Sequence, residues 1–197
     1  MLTDLRLNGR PVVFIHNPKA GGTSLGRHLS VKRRSHVFPR ERLSKGIWEE
    51  TFSIVVVREP FERFLSCYYG NVLRPGETGL TKRYGEIIKR LDPFSFLEVI
   101  LDNPRFGGSQ LNWTDFPSTL KPRADLVLKL EEVARWQTIL LDSGLPVEGR
   151  SLGHDNRSDR SESDHLVRLK VSACEFDALK RQVAEAFKFD YMAFGYS

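Results

Sequence analysis

Val12-Val13-Phe14-Ile15-His16-Asn17-Pro18-Lys19-Ala20-Gly21-Gly22-Thr23-Ser24-Leu25 decides what kind of fold this chain adopts. Four apolar residues, three of them β-branched, predict a strand buried on both faces. Asn17-Pro18 ends it, and the glycine pair lets the backbone approach another group closely. Thr23 and Ser24 follow, and Leu25, Leu29 and Val31 continue as a helix. A helix N-terminus offers unpaired N–H groups and about half a positive charge. Lys19 adds a full charge and the two hydroxyls add donors, so the stretch reads as a phosphate- or sulfate-binding loop. The same residues also suit an ordinary strand–turn–helix corner with a solvent-facing lysine. A Walker A loop is excluded because its lysine follows the glycines, whereas Lys19 precedes them.

Around this stretch the chain has 197 residues, a length that suits a single domain spanning 1–197. Its 40% hydrophobic and 28% charged content are those of a soluble globular protein. No run of about 18 apolar residues occurs, so no transmembrane helix is expected. The N-terminal residues lack the basic-then-apolar order of a secretory signal. The two cysteines, Cys67 and Cys174, cannot build a disulfide framework or a four-ligand zinc site. Both lie in apolar helical patterns that predict buried free thiols, and a reducing cytoplasm fits them. The net charge of +5 is uneven: seven Lys/Arg and one acid, Glu41, lie between Arg27 and Lys45. Such a run is a solvated helix face or, beside an anion loop, a mouth that gathers anions.

Further along, Ser35-His36-Val37-Phe38 predicts a short strand ended by Pro39, and residues 40–50 a polar helix. Phe52 to Val57 is a strong buried-strand signal. Arg58-Glu59-Pro60 ends it, with Pro60 suited to the first position of a helix whose apolar face is Phe61, Phe64, Leu65 and Tyr68. Arg58 thus stands at a strand's C-terminal end and Ser66 on the second turn of the next helix. Both face the crevice where open parallel sheets bind ligands. A guanidinium forks onto a phosphate monoester and a hydroxyl adds one donor; alone, each residue equally suits a surface role.

Taken together, these residues carry a family resemblance. Ile15-His16-Asn17-Pro18-Lys19-Ala20-Gly21-Gly22-Thr23-Ser24-Leu25 resembles the 5′-phosphosulfate loop of sulfotransferases that use 3′-phosphoadenosine 5′-phosphosulfate (PAPS). Val56 to Tyr69 resembles their 3′-phosphate motif, R-x-P-x-x-R-x-x-S-x-Y-Y, and the carbohydrate-sulfotransferase-like branch with its short soluble bacterial members is the most similar type. Weaker similarity continues at Val127 to Glu131, at Asn156-Arg157-Ser158 and at Asp190 to Tyr196. Ala20 departs from the family's usual Thr or Ser, which removes one loop hydroxyl. The membrane anchor and stem of the Golgi members are not expected here, since no apolar run long enough for an anchor occurs in these residues. Alternating strands and helices imply an α/β fold with a mainly parallel sheet flanked by helices, which the resemblance narrows to a P-loop-like sulfotransferase fold.

The resemblance implies transfer of the sulfuryl group of PAPS to an acceptor hydroxyl of a glycan, lipid or small molecule. It implies Lys19, Ala20, Gly21, Gly22, Thr23 and Ser24 around the 5′ end, Arg58 and Ser66 on the 3′-phosphate, and no metal. For the base that takes the acceptor's proton, His36 comes first, because His36 to Glu41 resembles a segment where bacterial members carry a histidine. Glu41 is second and His16, at the end of the first strand, third. Phe106, Gln110, Asn112 and Trp113 are candidates for an acceptor cleft, and residues 149–163 for a lid. Helices are also predicted over 84–91, 93–101 and 131–141, a strand over 124–130, and a helix opened by the capping box at Ser172 to Glu175. Two other classes remain open at this stage. One is a nucleotide kinase, for which the strand ending at Arg58 lacks the magnesium-holding carboxylate; the other is a non-catalytic module for anionic polymers. Nucleic acid is not expected as a partner, and oligomeric state is not encoded in any of these motifs.

Overall fold

The computed structural model describes residues 2–29, 31, 36–114, 122–145 and 161–197. Strand β1 (Leu2–Leu7) turns through Asn8 and Gly9, at φ 50 and 82, into β2 (Arg10–Ile15). That pair of left-handed residues suits the twist of a tight hairpin. Helices α1 (Gly22–His28), α2 (Pro39–Arg42) and α3 (Lys45–Glu50) lead to β3 (Phe52–Val57). Next come α4 (Pro60–Tyr68), a π-helical turn over Tyr69–Leu73, α5 (Gly79–Tyr84), a 3₁₀ turn over Gly85–Arg90 and α6 (Pro93–Leu101). A 3₁₀ turn (Gln110–Trp113), β4 (Leu126–Lys129) and a second such turn (Leu130–Arg135) lead into α7 (Trp136–Asp142). Helices α8 (Glu162–Leu169), α9 (Ala173–Ala186) and α10 (Lys188–Phe194) follow.

The sheet runs β1-β2-β3-β4, antiparallel between β1 and β2 and parallel elsewhere, with Ile15 opposite Val55 and Val55 opposite Val127. The mixed α/β fold with a mainly parallel sheet is therefore as expected. Alternate strand residues feed two apolar layers. Val12, Phe14, Ile54, Val56 and Leu128 meet Leu25, Trp136 and Leu140 on one face; Val13, Ile15, Val55 and Val57 meet Phe38, Trp48, Trp113 and Phe194 on the other. A third core lies among helices, where Phe61 and Phe64 of α4, Phe96 of α6 and Phe176, Leu179 and Val183 of α9 pack together.

Several expectations are corrected. His36 to Phe38 form no strand: Phe38 precedes α2, and the Glu41 carboxylate accepts its N–H at 3.0 Å, an N-terminal bond that replaces strand pairing (Ser35 lies outside the described residues). The helix expected over 40–50 is split at Leu43-Ser44, where Ser44 Oγ accepts from Ile47 N and starts α3. Gly85, at φ 72, divides the segment 84–91. The helix expected over 131–141 begins as a 3₁₀ turn, and the strand expected over 124–130 is shortened to β4. Cys67 is buried as expected, but Cys174 is exposed. Residues 149–160 of the expected lid, with Asn156-Arg157-Ser158, lie outside the described residues; Ser161 to Ser163 begin α8 instead.

Candidate active site

The first loop leaves β2 and is shaped by its backbone. Lys19 and Gly21 have φ 63 and 77 while Ala20 between them does not share that sign. Such alternation turns successive N–H groups toward one side, the arrangement of an anion nest. It also drives the Ala20 methyl into the core, 0% exposed, so a hydroxyl at this position would face the interior rather than a ligand. Gly21 is held glycine by its φ of 77, with the Leu130 methyls crowded against it, and a Cβ on Gly22 would lie 2.5 Å from the His16 ring and 3.1 Å from that of Phe14. Gly21 caps α1 with no side-chain bond and no acid in the first turn, leaving N–H groups for a ligand. Thr23 is half-buried, and the side chain of Ser24 is outside what is described.

The second unit leaves β3 and is held by side chains. Glu59 caps α4 by accepting from Glu62 N at 2.6 Å, and Pro60 starts the helix. The Arg58 guanidinium is largely buried and paired with Glu62 at 2.9 Å. Gln110 clamps its backbone, accepting from Arg58 N at 3.0 Å and donating to Arg58 O at 2.7 Å. The same Gln110 Oε1 accepts from Asn17 Nδ2 at 2.9 Å, so one amide ties together the ends of β2 and β3. Asp190 in turn accepts from Gln110 N at 2.7 Å and from Ser109 Oγ. Burial pushes its carboxyl up, against the pull of these bonds and of the Arg63 charge.

Arg63 crosses between the units. Its Nε donates to Pro18 O at 3.0 Å, directly before Lys19, and Nη1 donates to Gly108 O at 2.9 Å. Ser66 is half-buried on the next turn. The neighbouring Cys67 thiol is pushed up by burial and pulled down by Arg63, Lys19 and Arg58 in that order. Arg58 meets Glu62 on the first turn of α4 and the Lys19 ammonium lies against Gly70 just past its end, so cations from both strand ends lie along this helix.

Of the three base candidates, His36 and His16 lie together, ring centroids 4.6 Å apart. His36 keeps an exposed face, and its pKa is lowered by burial and then by the Lys19 ammonium, so the imidazole is neutral at pH 7. His16 packs on Phe14 and under Gly22, as a support of the loop. Glu41 is committed elsewhere, to Phe38 N and to Arg105. Desolvation raises its pKa, but those bonds with the charges of Arg105 and Arg40 outweigh it and hold the carboxyl below its usual range. Gln110 and Trp113, expected to line an acceptor cleft, are each 0% exposed: Gln110 works inside the clamp and Trp113 packs on Phe38. Sequence reasoning gave Gln110 a cleft rather than a clamp, and missed the individual bracing roles of Asn17, Arg63 and Asp190. The hints were the second arginine of the R-x-P-x-x-R pattern, Asn17 within the loop motif and the C-terminal similarity that begins at Asp190.

A family model described as the sulfotransferase family matches residues 8–116, just over half the chain, and takes in both units. No curated protein and no solved structure matches the chain. Among the described residues no helix is long and apolar enough to cross a membrane, and no group of three or more His, Cys, Asp or Glu side chains is placed to hold a metal ion.

Proposed function

This chain belongs to the sulfotransferase family, and we propose that it moves the sulfuryl group of PAPS to an acceptor hydroxyl by in-line displacement. The observation that carries this reading is the approach of Lys19 and Arg58, from two neighbouring strand ends, to the same helix and the turn after it, Arg58 at Glu62 and Lys19 at Gly70. A donor with phosphate at both its 5′ and 3′ positions matches two separate anion sites. Lys19, the N–H groups of Ala20, Gly21 and Gly22, and the hydroxyls of Thr23 and Ser24 receive the 5′ end. Arg58 and Ser66 receive the 3′-phosphate, for which a guanidinium supplies a planar pair of donors.

In the reaction the acceptor oxygen attacks sulfur while the bond from sulfur to the 5′-phosphate oxygen breaks, and the electron pair stays on that oxygen. Lys19 stabilises the charge that appears there. His36 takes the acceptor's proton; its neutral state and its place beside Lys19 suit that role better than the ion-paired Glu41. His16 holds the loop. Thermal shift tests the donor: 3′,5′-diphosphoadenosine at about 100 times its Kd should stabilise the protein by about 2.7 kcal/mol, and ATP much less. Equal stabilisation by ATP would return the kinase reading, and stabilisation by a sulfated polysaccharide alone would point to a binding module. Labelled PAPS offered to glycan, lipid and small-molecule hydroxyls then identifies the acceptor.

A further inference from the structure

Gly70 stands in the π-helical turn that follows α4. Its φ is not in the left-handed region, so its own conformation makes no demand for glycine. Its surroundings do. A Cβ at this position would lie 2.2 Å from Lys19 Nζ and 3.0 Å from Lys19 Cε, and among the described residues no other side chain beyond the two flanking ones comes within 4 Å. The space left by the missing side chain is thus filled by the end of Lys19. Lys19 reaches it from a left-handed backbone at φ 63, which aims the side chain across the loop toward α4. The loop backbone is itself fixed there by Arg63, whose Nε holds Pro18 O at 3.0 Å.

We infer that Gly70 is a positioning residue of the donor site: its bare Cα seats the Lys19 ammonium at the point where it meets the 5′ end of the donor. This rests on the donor reading above. A methyl at 70 collides with the far end of a flexible side chain, not with backbone, so the fold accommodates it and only the ammonium moves. A helical turn gains stability when alanine replaces glycine, so the variant should lose function without losing stability.

The test is a double-mutant cycle on Gly70→Ala, Lys19→Ala and the double variant. It is read by titration calorimetry with 3′,5′-diphosphoadenosine and with adenosine 3′-monophosphate, which lacks the 5′-phosphate. Lys19→Ala should weaken 3′,5′-diphosphoadenosine about tenfold, the scale of one charge-assisted hydrogen bond. Gly70→Ala should weaken it at least fivefold, leave adenosine 3′-monophosphate within twofold, and keep or raise Tm. In the Lys19→Ala background, Gly70→Ala should change nothing further. If Lys19→Ala leaves 3′,5′-diphosphoadenosine binding intact, the donor reading falls and this inference with it. If Lys19→Ala weakens binding but Gly70→Ala is silent, or weakens it equally without Lys19, the donor reading stands and Gly70 has no positioning role.

Discussion

The two strand–turn–helix units do similar work by opposite means. The first, β2 to α1, is made of backbone: a left-handed lysine, two glycines that tolerate no Cβ, an alanine turned inward and a helix of seven residues. The second, β3 to α4, is made of side chains: a capping glutamate, an ion-paired arginine, a buried arginine and a glutamine clamp. A backbone nest recognises negative charge with little regard to what carries it, so in the proposed reaction the chemistry falls to its side-chain cation, Lys19. A braced guanidinium recognises shape, and so supplies selectivity. If this contrast is right, damage to the first unit costs far more in rate than its roughly tenfold loss of affinity, and damage to the second reads out in affinity.

Lys19→Ala tests the contrast most severely. Turnover should fall about 10²–10³-fold, the scale for removing a transition-state charge stabiliser, with the melting transition barely moved. Turnover within a few-fold of the unaltered protein would take Lys19 out of the chemistry. Next comes His36→Ala, which should lose about 10² in turnover, the lower range for a general base, with donor affinity within a few-fold. Should Glu41→Ala show that pattern and His36→Ala not, the base is Glu41 and its pairing with Arg105 must open during turnover.

Arg58→Ala belongs to the second unit. It should weaken 3′,5′-diphosphoadenosine at least about tenfold, because charge-assisted bonds contribute roughly 1.5–3 kcal/mol, while 5′-AMP changes much less. Equal losses for both ligands would show that Arg58 acts through general structure. The smallest effect is on the His36 titration, followed by NMR. Its pKa lies below 6.5, so the ring is protonated only as pH falls beneath that value. Lys19→Ala should bring it part of the way back, since burial is the larger cause and remains. An unmoved titration would separate the two side chains electrostatically.

How much of this was legible in the sequence divides along the same line. β3 and α6 fall where their apolar patterns place them, and the glycine loop follows from residue type alone. β1 was not recognised, although Asn8-Gly9 is a strong hairpin signal; an edge strand with mixed faces shows little alternation. The strand expected at His36 failed because local capping by Glu41 outweighed β propensity in a segment too short to pair. The bracing of the second unit was hidden for a different reason. Charged residues such as Arg63 and Asp190 are seldom fully buried, and only the folded chain reveals that both are. Their partners are distant: Asp190 lies 80 positions beyond Gln110, a separation that no local pattern reports.

That separation also bears on how the protein is made. Translation delivers both strand ends, Arg58 and Gln110 long before it delivers Asp190, the acceptor of Gln110 N. Domains generally begin to fold as they emerge from the ribosome. A nascent chain released through Gln110 would carry both anion motifs but not the carboxylate that fixes their shared clamp. Completion of the clamp is accordingly a late event in synthesis, waiting for the helix that contains Asp190.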